Sequence, residues 1–417
     1  MKIIPIQVEE AGEWTQRYGI INSASGLDPT GIVFHFEGNI YRGITPRAME
    51  EAKQVLSFGN IERIYNTGFV RTKIEKNIKS NQYPLILKHK KVEFLSYIVE
   101  WVPDMIRDAA LMLIDIGEEI SKTGYILGDG HSHNLFFDFC KPVYIDFGSL
   151  LKHRSIFPTG SFGSLWINEI VNISNLKFED YEKLCTQHAI KNGFFENLRE
   201  WLLSADLKYP ITEWSGYGQR PFANVERNEL PAKQISYLNL LEKYKELGCE
   251  TLLDVGANQG IYSEKAEDMG YRVVASDIDK VTIAKLYRRA RDSGKKILPL
   301  VFDLNNPTKA HGKQSPGYPA GYDRLKCDVV IALALIHHTS YKQGITFEHF
   351  SDYMNRFTKR FAVVEFIPPE DVHIRGWPNK PEEYNLDNFI ASMMKYFKTY
   401  EILEANPEPR VLVAFEK

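Results

Sequence analysis

The stretch Leu252-Leu-Asp254-Val-Gly256-Ala-Asn258-Gln-Gly260-Ile-Tyr-Ser263 decides how this chain folds. Thr251–Val255 is a short apolar run that reads as a buried strand, and Tyr262–Met269 reads as the helix that follows. Glycines at 256 and 260 let the backbone turn sharply between the two and approach a ligand with no Cβ in the way. Working outward, Ser236–Leu247 predicts an amphipathic helix before the turn. After it come a strand (Arg272–Ser276), a helix (Lys280–Ser293), a strand (Ile297–Phe302) and a nearly all-apolar strand (Asp328–Leu335). A helix (Phe347–Phe357), a strand (Phe361–Phe366), a helix (Leu386–Tyr396) and two closing strands (Tyr400–Glu404, Arg410–Phe415) complete the series. Apolar strands alternating with helices predict a mostly parallel sheet covered on both faces, with the closing pair as an antiparallel edge.

Three carboxylates recur at strand ends: Asp254, then Asp277 after 23 residues, then Asp303. In an open α/β sheet these ends border one crevice at the switch point, where ligands bind. A carboxylate at Asp277 can accept the hydroxyls of a ribose, and Asp303 stands where the architecture meets an adenine amine. The spacing G-x-x-x-G, rather than G-x-G-x-x-G, favours S-adenosylmethionine over a dinucleotide, because no pyrophosphate has to be brought against a helix N-terminus. The plainer reading is that the three are strand-end caps of some other nucleotide-type fold.

"LLDVGANQGIYS", "VVASDID", "LPLVFDLNNP", "DVVIALALIHH" and "FAVVEFIPPED" resemble a bacterial family of class I methyltransferases with an N-terminal extension, a family that includes nodulation-type methyltransferases. The resemblance covers most of the chain, since "SYIVEWVPDMIRDAALMLIDIGEEISKTGYILGDGHSHNLFF" and "PVYIDFGSL" look like that extension. It implies an α/β, Rossmann-like methyltransferase domain using S-adenosylmethionine. By it Gly256, Asn258 and Gly260 line the methionine side of the cofactor, Asp277 holds the ribose, and Asp303 with Leu304 meets the adenine; Asp254 is a further candidate cofactor-binding residue. Lys233, in "ELPAK", aligns with a lysine that usually precedes the first helix and is a candidate contact to cofactor or substrate.

Methyl transfer needs an in-line nucleophile, with a base only where the acceptor is protonated at neutral pH. The segment after the fourth strand normally faces the acceptor, and here it is Ala334-Leu-Ile-His337-His338-Thr339. No Asn/Asp-Pro-Pro-aromatic motif stands there, because Pro368-Pro369 follows the fifth strand instead, which argues against N-methylation of nucleic-acid bases. His337 and His338 are candidate general bases, for which a near-neutral pKa would suit, or else packing residues. Glu365, inside the apolar run Ala-Val-Val-Glu-Phe-Ile, is poorly explained as a solvated charge and reads as a cleft carboxylate pairing with a histidine or a substrate hydroxyl, with Asp371 at the same rim.

The first half has a different rhythm. Ile32–Ile44 and Tyr83–Glu100 predict strands and hairpins, Pro46–Leu56 and Asp104–Thr123 helices, and Gly124–Gly148 two strands around a loop. Asp129-Gly-His-Ser-His-Asn134 followed by Tyr144-Ile-Asp146-Phe-Gly148 is similar to the catalytic and metal-binding loops of aminoglycoside-phosphotransferase-like kinases. That resemblance would set Asp129 near an acceptor hydroxyl and Asn134 with Asp146 on magnesium, with Tyr97–Val102 as strand and hinge. No Gly-rich phosphate loop precedes it and no Val-Ala-Ile-Lys-like strand lysine stands out, Lys88 being no more than a candidate. The expected organisation is a kinase-like α+β domain over 1–205, an ordered connector over 206–235 containing Trp214, Tyr217 and Phe222, and the methyltransferase domain over 236–417.

The remaining features bound the partners. A net charge of −3 gives no global attraction to polyanions, so no nucleic acid is expected. No apolar run approaches the roughly 20 residues of a membrane span. Cys140, Cys185, Cys249 and Cys327 have no metal-ligand spacing and suit reduced thiols in a cytoplasmic protein, with no metal expected. Three functions stay open: an O-methyltransferase acting on a small-molecule or glycan hydroxyl, with the N-terminal module helping to bind that acceptor; a bifunctional kinase–methyltransferase; and a cofactor-binding scaffold without turnover. Oligomeric state is not legible.

Overall fold

The computed structural model describes residues 2–3, 30–128, 130, 132–152, 164–188, 193–214, 216, 222, 226–309 and 319–417. The chain divides into two units, Met1–Lys208 with Lys309–Ala320, and Tyr209–Thr308 with Gly321–Lys417.

The first unit opens on an antiparallel sheet of strands β1 (Gly31–Phe36), β2 (Asn39–Ile44), β3 (Thr72–Ile74) and β4 (Leu85–His89), in the order β1-β2-β4-β3. Phe34, Tyr41 and Ile86 are buried on one face of it. The helix α1 (Pro103–Ser121) starts on a proline, whose missing N–H costs nothing in a first turn, and buries Met105, Leu113 and Ile120 among others. The hairpin β5 (Leu135–Asp138) and β6 (Lys141–Tyr144) follows as expected. Tyr97–Val102 is not a strand. Ile98–Glu100 forms a 3-10 turn, because the buried Glu100 carboxylate accepts the Tyr97 N–H at 2.9 Å and curls the chain before it can extend.

The second unit is built on seven strands: β7 (Thr251–Val255), β8 (Arg272–Asp277), β9 (Ile297–Val301), β10 (Cys327–Ala332), β11 (Thr358–Phe366), β12 (Thr399–Glu404) and β13 (Val411–Glu416). Their order is β9-β8-β7-β10-β11-β13-β12, and only the pairs β11–β13 and β13–β12 are antiparallel. This is a doubly wound, mostly parallel α/β sheet with the antiparallel edge expected from the sequence. β7 is buried at every position, as a central strand covered on both faces must be.

Helices α2 (Ala232–Glu246), α3 (Ile261–Asp268), α4 (Lys280–Ser293), α5 (Ile336–Gln343), α6 (Phe347–Phe357) and α7 (Leu386–Met393) complete the unit. α4 is capped by Asp279, whose Oδ1 accepts the Val281 and Thr282 amides at 2.8 and 3.1 Å. The predicted strand Asp328–Leu335 stops at Ala332 instead. Ala334 takes a φ of +52°, which breaks the extended run, and α5 begins at Ile336. His337 and His338 therefore sit in the first turn of a helix. No helix among the described residues is long and apolar enough to cross a membrane.

Candidate functional site

β7 and β10 are neighbours in the sheet, but the chain leaves their carboxyl ends in opposite directions, toward β8 and toward β11, and a crevice opens between them. The Gly256–Gly260 turn forms one side. Gly256 has φ +73°, and its amide and that of Ala257 donate to the Ser276 carbonyl at 2.8 and 2.9 Å, which ties the turn to the end of β8. A Cβ at Gly256 would come within 3.1 Å of Leu335, on the far side of the crevice. Gly260 has φ +76°, and a Cβ there would lie 2.5 Å from Leu286 of α4, so helix and turn could not close together.

The crevice holds a cavity of about 250 Å³. Of the residues singled out in the sequence, Gly256, Asn258, Asp277, Asp303, Leu304 and His338 line it. Asp277 is oriented by two backbone amides: Oδ2 accepts from Asn258 at 2.8 Å and Oδ1 from Asp279 at 2.9 Å. Burial raises its carboxyl above the ordinary aspartate value, against the pull of those amides. Asp303 Oδ1 accepts the Asn305 amide at 2.9 Å. Asn258, with φ +51°, carries a buried Oδ1 that has no hydrogen-bond partner among the described residues. A buried carbonyl oxygen left unpaired in a cavity wall suits a ligand donor.

Asp254, Gly260, His337 and Glu365 are not among the lining residues. Asp254 is buried beneath the turn, where its Oδ2 accepts the Ser263 hydroxyl at 2.6 Å and burial pushes its carboxyl up to about 7. Glu365 is fully buried and pairs with Lys233, not with a histidine, at 2.5 Å from Oε2 to Nζ. An apolar strand leaves its carboxylate no water, so a cation has to come to it. Lys233 is that cation: burial opposes its charge, yet Glu365 and Tyr262 hold it in the protonated form with a raised pKa. Asp371 is clamped by Arg410 at 2.7 and 3.1 Å, which keeps its carboxyl low against burial.

The histidines depart from the near-neutral value expected of them. Burial first, and then its neighbours His338 and Arg410, push His337 down to about 3. Burial and Lys342 push His338 to about 4. Both are neutral at physiological pH, and the Nδ1 of each is buried without a hydrogen-bond partner among the described residues.

Several wall residues were not singled out in the sequence. Lys342 and Gln343 belong to α5, and Lys342 falls one turn after His338, so recognising that helix would have found it. Trp377, which does not line the cavity, lies 5.5 Å from the His337 ring and 5.1 Å from the His338 ring, in a loop with no periodicity to announce it.

In the first unit the basic residue that meets Asp146 is Arg42, not Lys88. Arg42 Nη2 donates to Asp146 Oδ1 at 3.0 Å, and the Gly148 amide donates to the same oxygen at 2.9 Å. Tyr41 is registered opposite Lys88, whose ammonium lies over the Tyr41 ring at 5.6 Å. Successive residues of β2 point to opposite faces, so Lys88 and Arg42 are on different sides of the sheet. Asn134 is described, its carbonyl accepting the Ile145 amide at 2.9 Å, whereas Asp129 lies outside the described residues, as does Tyr217 of the connector. Arg42 and the Gly148 amide thus take one oxygen of the carboxylate that the kinase resemblance would set on a divalent ion.

No family model matches the chain. Over 480 residues it is 20% identical to nodulation protein NoeA of Rhizobium meliloti (strain 1021), covering 95% of this chain and 96% of that one, so the nodulation-type resemblance runs through nearly its whole length. Among solved structures it is similar to WbdD, with a TM-score of 0.35 and 17% identity over 49% of this chain and 42% of the other. It thus spans less than half of WbdD. It is also similar to the magnesium protoporphyrin IX methyltransferase ChlM of Synechocystis PCC 6803 (TM-score 0.34, 14% identity, 49% and 90% coverage). The N-methyltransferase NodS of Bradyrhizobium japonicum WM9 gives a TM-score of 0.33 at 12% identity, with 44% and 96% coverage.

Proposed function

We propose that this chain is an S-adenosylmethionine-dependent methyltransferase that methylates a hydroxyl oxygen of a small molecule or glycan. The observation that carries the reading is the cavity at the switch point of a methyltransferase-type sheet, lined together by Gly256, Asn258, Asp277, Asp303 and Leu304. Asp277 would hold the ribose hydroxyls, Asp303 and Leu304 the adenine, and the glycine turn with Asn258 the methionine side. Asp254 acts through Ser263, holding the start of α3 where the turn needs it. When bound, the cofactor supplies an electrophilic methyl group on a sulfonium.

His338 is the group assigned to the acceptor. It lines the cavity and is held neutral, the form in which an imidazole can take the proton of an acceptor hydroxyl. A weak base suffices, because a hydroxyl oxygen becomes strongly acidic as it gains a methyl group. His337, one residue behind with ring centroids 4.1 Å apart, supports His338 by packing. Glu365 and Lys233 neutralise each other and join β11 to α2.

The N-terminal unit is assigned as a degenerate kinase-like module that serves acceptor binding; the Arg42–Asp146 pair supports its degeneracy alone. The whole proposal is tested by incubating the full chain with cofactor labelled at the methyl group and a panel of hydroxylated acceptors, glycans included. Label should pass to an oxygen, and Asp277→Ala should weaken cofactor binding and lower transfer with it. Absence of S-adenosylmethionine binding by the natural sequence would refute it.

A further inference from the structure

Among the described residues Lys342 is the one cation that lines the cavity, whose other charged groups are the carboxylates of Glu213, Asp277 and Asp303. It lies on α5 one turn after His338, so the two share a side of that helix. Asp277 and Asp303 belong to the strand ends assigned to ribose and adenine. Lys342 is therefore the cation on the acceptor side. The carboxylate it meets is neither of those two but Glu213, whose Oε1 lies 2.8 Å from Nζ.

That pair is loose. Its side chains are 65% and 41% exposed, and an ion pair so open to solvent contributes little. The ammonium itself is well fixed, because it stands 5.0 Å from the Trp377 ring and 5.4 Å from the Trp214 ring, within cation–π range of both. A positioned cation with a weakly held partner can exchange that partner for another anion.

Proton transfer gives no reason for a cation here. After burial, Lys342 is the influence that lowers the pKa of His338, whereas a neighbouring carboxylate would raise it. An anionic group arriving with the acceptor does supply a reason. Charge-assisted hydrogen bonds to an ammonium orient the molecule that carries the anion, and orientation is what methyl transfer requires of the site.

We infer that Lys342 binds an anionic group, a carboxylate or a phosphate, carried by the acceptor beside the hydroxyl that is methylated, and that Glu213 holds this position in its absence. The inference rests on the methyltransferase reading above and narrows its acceptor to anionic molecules.

Titration calorimetry of the full chain loaded with S-adenosylhomocysteine tests this with glucuronate, glucose 6-phosphate and glucose as probes. At least one anionic probe should bind, and whichever binds more tightly names carboxylate or phosphate as the preferred group. Glucose should bind about tenfold more weakly or worse. Lys342→Gln should weaken the anionic probe by about five- to tenfold. Glu213→Gln removes the competing carboxylate and should strengthen it by about two- to fivefold. The opposite signs matter, since a merely structural pair would make the two variants behave alike. Equal affinity for glucose, no binding of either anionic probe at millimolar concentration, or two variants that shift affinity in the same direction would overturn the inference and leave the cofactor reading standing. Failure of the natural sequence to bind S-adenosylhomocysteine would overturn both.

Discussion

Lys233 Nζ lies 2.5 Å from Glu365 Oε2, joining the first turn of α2 to the end of β11, and the Glu365 side chain has no exposure to solvent. Breaking a buried pair strands the remaining charge, which costs about 3–5 kcal/mol, whereas replacing both partners by apolar groups is often neutral. Glu365→Leu should therefore destabilise the protein strongly, and adding Lys233→Met should restore most of the loss. Urea unfolding of the two single variants and the double variant measures this. A double variant no better than the worse single one would show that the pair is not the source of the cost.

Asp277 presents its carboxylate to the cavity with both oxygens oriented by backbone amides. Removing a preoriented charged acceptor should weaken cofactor binding by about 10- to 100-fold. Titration calorimetry of Asp277→Ala with S-adenosylmethionine gives the number, and an unchanged affinity would dissociate this carboxylate from the ribose.

Asp254 makes stability pH-dependent. Burial holds its carboxyl near 7 in the folded protein, well above the value of 3.8 for an unperturbed aspartate. Between those two values the unfolded chain has released the proton and the folded chain has kept it, so the folded state binds more protons there. Stability should accordingly fall as pH rises from about 4 to 7. Asp254→Asn cannot ionise and should flatten that slope. Denaturation midpoints at pH 5 and pH 7.5 for both proteins decide it, and equal slopes would contradict the assignment.

The acid limb of the pH–rate profile should lie low. His338 is pushed to about 4 by burial and by Lys342, so it should keep its neutral form, and its capacity to take a proton, through pH 6. Lys342→Gln removes the lowering charge and should move the limb upward. A limb already centred near the ordinary histidine value in the natural sequence would exclude His338 as the proton acceptor.

Arg42 occupies the carboxylate that a kinase would give to its metal. Magnesium with ATP should therefore leave the melting temperature of the full chain unchanged. A magnesium-dependent upward shift that disappears in Asp146→Ala would establish the bifunctional kinase reading instead.

The sequence by itself determined the architecture of the second unit. β7, α4 and α6 have the ends that periodicity and caps announce, and the antiparallel edge was legible in the last two apolar runs. Local signals suffice there because strand burial and helix amphipathicity are properties of neighbouring residues. The carboxylates Asp277 and Asp303 were equally legible, since a strand end in this sheet faces the crevice whatever its neighbours are. Only the tertiary structure decided the rest. Lys233 and Glu365 are 132 residues apart, Arg42 and Asp146 are 104 apart, and Glu213 and Lys342 are 129 apart. No period links such partners, and a buried charge does not declare in one dimension which distant group will neutralise it. The histidines illustrate the same limit. Their identity was visible at once, but their basicity was not, because it is set by how much water the fold removes and which cation it brings close.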